Sequence, residues 1–237
     1  MTAETAGTRP ATSGTVAAVC VVHTLHETGL RRNPVTAIDK RPVDGPVHVG
    51  KLGLNGDRQC DTANHGGVHK AVYAFSQDES RRWGTELDRE LPIGWFGENL
   101  HVAGFSPTDA VIGERWRVGD GGLLLEVTGP RTPCRTFAIR SEEGDWATRF
   151  VARGDCGAYL KVISEGPVAA GDRIVVEHVP SHAATVRDLF TGQGHERVAA
   201  MLEQQADIAP SVADKARRLA GRPQEGSVGR SRKGEAR

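Results

Sequence analysis

Up to about residue 180 the sequence consists of short apolar runs rich in β-branched residues, and glycine and proline separate these runs. This pattern restricts the fold more than any other feature of the sequence. Such runs predict strands, because β-branched side chains pack well on a pleated sheet, whereas Gly and Pro favour turns. We predict strands at 15–23, 47–54, 68–75, 111–118, 123–127, 158–163 and 173–179. The polar stretch between 26 and 47 reads as loop with short extended pieces. We therefore expect a mainly β fold of the α+β type, a barrel or a sandwich.

Helical patterns occur in two regions. Ser76 and Glu79 form an S-x-x-E capping box, which predicts a helix that Pro92 ends. After Pro180 the chain changes character, and three short helical patterns follow. They lie at 184–190, 195–205 and 211–220. None is long enough to be stable alone in water, so we expect them to pack together as a small helical unit.

These changes of pattern divide the chain into four segments. We predict a disordered leader at 1–13, rich in Thr, Ala, Ser and Gly, and a β-barrel domain at 14–180. A three-helix C-terminal domain follows at 181–222, and a disordered Gly-, Ser-, Arg- and Lys-rich tail at 223–237. The helical domain could also pair two protomers into a homodimer.

Charge and cysteine content restrict the environment. Acidic and basic residues number 30 each, which favours neither a nucleic-acid nor a membrane partner. No secretion signal and no apolar run of membrane-spanning length is present. The four cysteines form no C-x-x-C pair. We expect a cytoplasmic protein with free thiols.

One cysteine has an unusual setting, at the end of a β-type run. In Gly129-Pro130-Arg131-Thr132-Pro133-Cys134-Arg135 the sulfur follows a turn and lies between arginines. Proline fixes φ and stiffens the backbone that directs Cys134. Adjacent positive charge favours the thiolate, the form that acts as a nucleophile or a soft-metal ligand. A small buried side chain at a strand end is the alternative, and residue chemistry alone leaves both open.

A second constellation runs from Gly56 to Lys70. Gly66 and Gly67 would let backbone N–H groups approach an anion, while His65 and Lys70 add donors that suit phosphate. Asp57 and Asp61 could orient those donors or bind a ring N–H. Aspartates that cap a tight turn are the alternative. A zinc site at His65 and His69 is disfavoured, since the glycine pair and the following β-type run argue against a helix.

Two further sites are weaker by themselves. Glu98 and Asn99 stand where a loop enters a strand, and Asn99 could supply donors and an acceptor to a heterocycle edge. A turn asparagine in a left-handed conformation is the alternative. Lys40 and Arg41 form a basic pair that could hold a phosphate, although such a dipeptide is usually solvated surface.

Taken together, these stretches resemble the MOSC domain family, which is named for the C-terminal domain of molybdenum cofactor sulfurase. The order and approximate spacing of the motifs both fit, and the YiiM group with its helical "3-alpha" C-terminal domain is the best match within the family. The motifs are Lys40-Arg41-Pro42-Val43, Gly53-Leu54-Asn55-Gly56-Asp57, Asp61 with His65-Gly66-Gly67, Lys70-Ala71-Val72-Tyr73, Phe96-Gly97-Glu98-Asn99-Leu100, Pro130-Arg131-Thr132-Pro133-Cys134 and Ala170-Gly171-Asp172. One departure is Gly113-Glu114, where Gly-Asp is expected.

The resemblance implies a barrel-like domain that holds a pyranopterin molybdenum cofactor, with Cys134 as the metal ligand. It also implies a molybdenum-dependent oxidoreductase that reduces N-hydroxylated compounds, such as N-hydroxylated purine bases. No dinucleotide fingerprint or iron–sulfur spacing is present, so a separate flavin- or iron–sulfur-containing reductase would supply electrons. The residues expected around the cofactor share polar or small side chains: Lys40, Arg41, Asp57, Asp61, His65, Gly66, Gly67, Lys70, Glu98, Asn99 and Arg131.

Two alternatives belong to other classes of protein. Cys134 could carry sulfur as a persulfide, or the domain could store the cofactor without catalysis. The other alternative is a strand-rich domain with an inert cysteine and no cofactor.

Overall fold

The computed structural model describes residues 13–31, 33–60 and 66–221. The predicted leader and tail lie outside the described residues, apart from Ser13, which begins the first strand. The strands are β1 (Ser13–Glu27), β2 (Val35–Pro42), β3 (Val47–Gly50), β4 (Gly53–Leu54), β5 (Val72–Ser76), β6 (Leu100–Ala103), β7 (Arg115–Val118), β8 (Leu123–Pro130), β9 (Ala158–Ser164), β10 (Gly166–Val168) and β11 (Arg173–His178). The helices are α1 (Gln77–Glu86), α2 (Arg135–Ser141), α3 (Trp146–Arg153), α4 (Val186–Thr191), α5 (His195–Gln204) and α6 (Pro210–Ala220).

Seven strands form a closed barrel in the order β1-β6-β5-β9-β8-β7-β11, and β11 pairs back onto β1. The β5–β6 pair is parallel and the other barrel pairs are antiparallel. Closure removes the unpaired edges that an open sheet would expose. A small sheet, β10-β3-β4, lies beside the barrel sheet. The predicted mainly β fold with added helices is confirmed.

Alternation along the strands explains how the barrel fills its interior. On β7, Trp116 and Val118 are buried whereas Arg115 and Arg117 are exposed. Successive side chains of a strand point to opposite faces, so the apolar half of each strand packs inward. Glu114, at the position where the sequence departs from the family pattern, is buried and accepts a hydrogen bond from Trp116 Nε1 at 2.8 Å.

The strand β2 corrects the loop expected between 26 and 47. It pairs with β1 over Cys20–Glu27 even though its centre reads Asp39-Lys40-Arg41. Asp39 and Lys40 are both buried, and partners elsewhere in the chain satisfy them. Within this polar centre, Lys40 lines the candidate site described below, whereas the Arg41 side chain is exposed.

Helices α2 and α3 were missing from the sequence expectations. Phe137 of α2 packs against Trp146 and Phe150 of α3, with ring centroids 4.9 and 6.1 Å apart. Trp83 of α1 joins them at 4.7 Å from Trp146. Such short helices are stabilised by tertiary packing rather than by intrinsic propensity.

The C-terminal helices lie where their patterns predicted them. A capping box between Thr185 and Asp188 opens α4, and Pro210 stands in the first turn of α6. The amide of Ile112 donates to Ala184 O at 2.9 Å, which ties the barrel to the chain before α4. The boundary between domains at residue 180 stays a prediction. In the described parts of the chain, no helix combines the length and apolarity needed to cross a bilayer.

Candidate functional site

Cys134 lies at the end of the bend that leaves β8. Its backbone is extended (φ −126°, ψ 160°) and it is the N-cap of α2. The sulfur accepts a hydrogen bond from the Phe137 amide at 3.4 Å, which occupies one of the free N–H groups at the start of a helix. The side chain is partly exposed. The proline-flanked bend therefore holds the sulfur at an accessible position, although it leads into a helix that we did not expect.

An open cavity lies beside this sulfur. We call it the Lys40 cavity, and its charged and polar lining includes Lys40, Asp57, Arg58, Lys70, Asn99 and Arg131. Five of these six were expected from the sequence. The structure thus brings together residues that are spread over more than 90 positions of the chain.

Asp57 is the centre of a hydrogen-bond network in the Lys40 cavity. Its Oδ2 accepts from Lys40 Nζ at 2.5 Å and from Asn99 Nδ2 at 2.8 Å, while Oδ1 accepts from the Val22 amide at 2.9 Å. Asn99 Oδ1 accepts from the Tyr73 amide at 3.1 Å. Burial lowers the pKa of Lys40, and the Asp57 carboxylate opposes that shift. The network fixes a buried ammonium group at a defined place in the wall.

Arg131 contributes a second buried cation. Its Nη1 donates to Phe96 O at 3.0 Å, and its guanidinium group lies 5.0 Å from the ring centroids of both Tyr73 and Phe137. Its Nε is buried with no hydrogen-bond partner among the described residues. Burial alone would lower the pKa of Arg131, but Tyr159, Tyr73 and Cys134 raise it overall. A fixed cation with an unused donor is suited to an anionic ligand.

Glu98 is fully buried and lies outside the lining of the Lys40 cavity. Its Oε1 accepts from the Gly94 amide at 2.9 Å and lies 2.9 Å from His101 Nδ1. Gly94 has φ +90°, and a Cβ there would lie 2.1 Å from Lys40 O, so only glycine allows this close approach. Glu98 therefore holds the turn that presents Phe96 O to Arg131.

The segment between Gly56 and Lys70 is only partly described. Asp61 and His65 lie outside the described residues. The Gly67 amide donates to Gln59 Oε1 at 2.9 Å, and Gln59 Nε2 donates to Lys70 O at 3.3 Å. Gly66 and Gly67 lie outside the lining of the Lys40 cavity, whereas Lys70 lines it. Gly67, with φ +84°, thus shapes the turn before Lys70.

Arg41 also lies outside that lining. Its side chain is 58% exposed and contacts Asp39 Oδ2 at 3.4 Å. Asp39 accepts another hydrogen bond from Arg140 of α2 at 3.2 Å. Burial raises the pKa of Asp39, but His26, Arg140 and Arg41 lower it overall. This cluster joins β2 to α2 and so links Lys40 to the helix that begins after Cys134.

Sequence reasoning missed several residues of the Lys40 cavity. Arg58 follows the expected Asp57 directly, and Tyr73 ends the motif that begins at Lys70, so both could have been found from residues that were predicted. No sequence pattern indicated a role for Gln59 or Tyr159. Tyr159 lies on β9, with Lys70 Nζ 5.6 Å from its ring centroid. A tyrosine in a strand ordinarily reads as core, and only the barrel topology brings it to the site.

A second cavity meets the first at Cys134. It is lined by the end of β8, by the bend up to Thr136 and by residues of α4 and α6. We call it the Lys215 cavity. Cys134, Lys70, Thr136 and Tyr159 line both cavities, so the sulfur stands at their junction.

Comparisons with known proteins show which family and which solved structures the chain resembles. A family model described as the MOSC domain matches residues 61–175. The chain is 34% identical over 136 residues to the uncharacterized protein YflK of Bacillus subtilis (57% of this chain, 61% of YflK). It is 32% identical over 142 residues to a protein of Gibberella moniliformis named Reductase (59% and 25%). It is 30% identical over 138 residues to protein YiiM of Escherichia coli (57% and 61%).

The matched part thus spans 61% of two of these relatives and a quarter of the third. The crystal structure of YiiM from Geobacillus stearothermophilus superposes with a TM-score of 0.69 at 22% identity, over 87% of this chain and 98% of that one. This likeness shows a shared fold.

Proposed function

Because the chain belongs to the MOSC domain family, we propose that it is a molybdenum-cofactor-dependent oxidoreductase that reduces N-hydroxylated compounds, such as N-hydroxylated purine bases. The observation that carries the proposal is the position of Cys134. Its sulfur is accessible, is held by the Phe137 amide, and stands where two cavities meet. The name Reductase of one relative supports the same class of reaction.

The side chains that line the Lys40 cavity are chemically suited to a pyranopterin cofactor, which carries a phosphate group and a polar ring edge. Lys40, Lys70 and Arg131 are cations in its wall, and the buried Arg131 Nε is a donor that an anionic group of the cofactor would satisfy. The Asn99 amide already donates to Cys20 O and Asp57, so Asp57 and Asn99 act by holding Lys40 in place in that wall. Cys134 would supply a thiolate to the metal, a suitable soft ligand.

The overall reaction is R–NH–OH + 2 e⁻ + 2 H⁺ → R–NH₂ + H₂O. When bound, the molybdenum cofactor supplies the two-electron redox centre. The chain's own part is to hold the cofactor through Cys134, Lys40 and Arg131 and to leave the second cavity open for substrate. We propose that a separate flavin- or iron–sulfur-containing reductase delivers the electrons.

Turnover tests the proposal. The protein is prepared from a host that makes molybdenum cofactor, and reduction of an N-hydroxylated purine is followed with reduced methyl viologen as donor. The matched variants are Cys134→Ser and Cys60→Ser, because Cys60 also lines the Lys40 cavity. We expect loss of activity in Cys134→Ser and retention in Cys60→Ser. Absence of turnover by the cofactor-loaded wild type would reject the proposal.

The accessibility of Cys134 also favours a second candidate, a sulfur or cofactor carrier. A carrier would show no reduction of N-hydroxylated substrates. Intact-protein mass spectrometry would then show one added sulfur that is lost in Cys134→Ser.

A further inference from the structure

The Lys215 cavity lies between the barrel and the C-terminal helices. One wall is the end of β8 with Pro130 and Thr132, and the other is α6 with Ser211, Val212 and Lys215. The helix approaches closely, since a Cβ on Gly129 would lie 2.7 Å from Val212 Cγ2. The barrel therefore forms one side of the cavity, and α6 forms the opposite side.

Two nitrogen-bearing side chains of this cavity have unused hydrogen-bonding capacity. Lys215 is partly buried, and its Nζ donates to Phe190 O at 3.0 Å and lies 5.3 Å from the Phe190 ring centroid. That bond occupies one of the three N–H groups of an ammonium. His69 Nδ1 is buried without a partner in the described parts of the chain. Burial lowers the pKa of Lys215, which agrees with its enclosed position.

The position of His69 is fixed by the barrel. Thr128 Oγ1, on β8, donates to His69 O at 2.5 Å, which ties the 3-10 turn Val68–Lys70 to the strand. Pro133, which is half-buried, and the small exposed part of Val212 supply apolar surface to the same cavity. Small-molecule sites typically combine apolar walls with a few fixed polar groups. The Lys215 cavity has both, and Cys134 stands at one end of it.

We propose that the Lys215 cavity receives the substrate and that Lys215 is a specificity-determining residue, which selects nitrogen heterocycles with ring acceptors over plain aromatic rings. This inference rests on the proposed function. The N–OH group points toward Cys134, the ring lies against Val212, and Lys215 Nζ donates to a ring nitrogen. The C-terminal helix α6 thereby becomes part of the active site.

The first test compares Lys215→Met with Arg217→Met. Methionine keeps an apolar stem beside Phe190 and removes the donors. Arg217 is on the same helix, is exposed, pairs with Asp214 and lies outside both cavities. For an N-hydroxylated purine we expect KM to rise at least about tenfold in Lys215→Met, because a hydrogen bond from a charged group is lost. For benzamidoxime, which has no ring nitrogen, we expect less than a twofold change. Equal changes for both substrates, or none, would overturn the inference.

A second readout needs no turnover and separates failure of this inference from failure of the proposed function. Adenine is titrated calorimetrically into wild type and both variants. Weaker binding in Lys215→Met than in Arg217→Met supports the inference even if no N-hydroxylated compound is reduced. Absent binding in the wild type, or equal binding in all three, overturns it.

A third variant keeps the inference testable if Lys215→Met does not fold. Ser211 is exposed at the start of α6 and lines the cavity, so Ser211→Trp should fold and fill the space. We expect adenine binding to be lost, with molybdenum content unchanged. Adenine binding equal to that of the wild type would show that the ligand lies elsewhere.

Discussion

Lys40 Nζ lies 2.5 Å from Asp57 Oδ2, and both side chains are at most 10% exposed. Removal of one member of a buried ion pair leaves the other charge without compensation, which typically costs about 3–5 kcal/mol. We predict a loss of that order in the free energy of unfolding for Asp57→Ala, measured by urea denaturation. The control is Asp214→Ala, which breaks an exposed pair with Arg217 and should cost less than about 1 kcal/mol. Equal losses in the two variants would argue against a compensated buried charge.

Gly94 should tolerate no side chain. A Cβ would lie 2.1 Å from Lys40 O, and φ is +90°. We predict that Gly94→Ala lowers the melting temperature by several degrees, equivalent to about 1–3 kcal/mol of strain. Gly144 has nothing within 4 Å of the same position, so Gly144→Ala should be nearly neutral. A neutral Gly94→Ala would show that the turn can move away from β2.

Glu79 should make stability depend on pH. Burial raises its pKa to about 7 from 4.5, and its Oε1 lies 3.8 Å from Arg187 of α4. The folded state then binds more protons than the unfolded state between these two values, so stability falls as the pH rises from about 4.5 to about 7 and levels off above.

Urea unfolding between pH 5 and 8 measures this dependence. We predict that Glu79→Gln gains stability relative to wild type as the pH rises to about 7. Glu90→Gln, at an exposed position, should run parallel to wild type at every pH. A Glu79→Gln curve that also runs parallel would contradict the raised pKa.

Variants of Arg131 and Arg41 distinguish a cation inside the Lys40 cavity from a cation outside it. Arg131 is 7% exposed and lines the cavity, whereas the Arg41 side chain is 58% exposed and lies outside it. We predict that Arg131→Met lowers the molybdenum content of purified protein severalfold with an unchanged circular dichroism spectrum. Arg41→Met should retain the wild-type content. The reverse result would place the anion-binding group at the rim of the cavity.

Much of the fold could be predicted because local patterns agree with it. Alternation on β7, the capping box of α4 and the proline in the first turn of α6 act over a few residues. The strand β2 could not be predicted in the same way, since Asp39 and Lys40 look like loop residues until Arg140 and Asp57 are seen to satisfy them. Hydrogen bonds between distant positions leave no local pattern.

The site was predictable to the extent that its residues occur in motifs. Lys40, Asp57, Lys70, Asn99, Arg131 and Cys134 were expected and line one cavity. Arg41 and Glu98 belong to the same motifs but support the site from outside its lining. The sequence did not indicate that Lys215 lines a cavity, because a lysine on an amphipathic helix usually faces solvent. Only the packing of α6 over β8 brings it near Cys134.

The central claim is that Cys134 binds the molybdenum of a cofactor in the Lys40 cavity. Molybdenum per chain, measured by mass spectrometry of metals in protein from a cofactor-competent host, tests it most directly. We predict near-stoichiometric metal in wild type and in Cys60→Ala, and little or none in Cys134→Ala. Equal molybdenum in Cys134→Ala and wild type would contradict the assignment of this sulfur as the ligand.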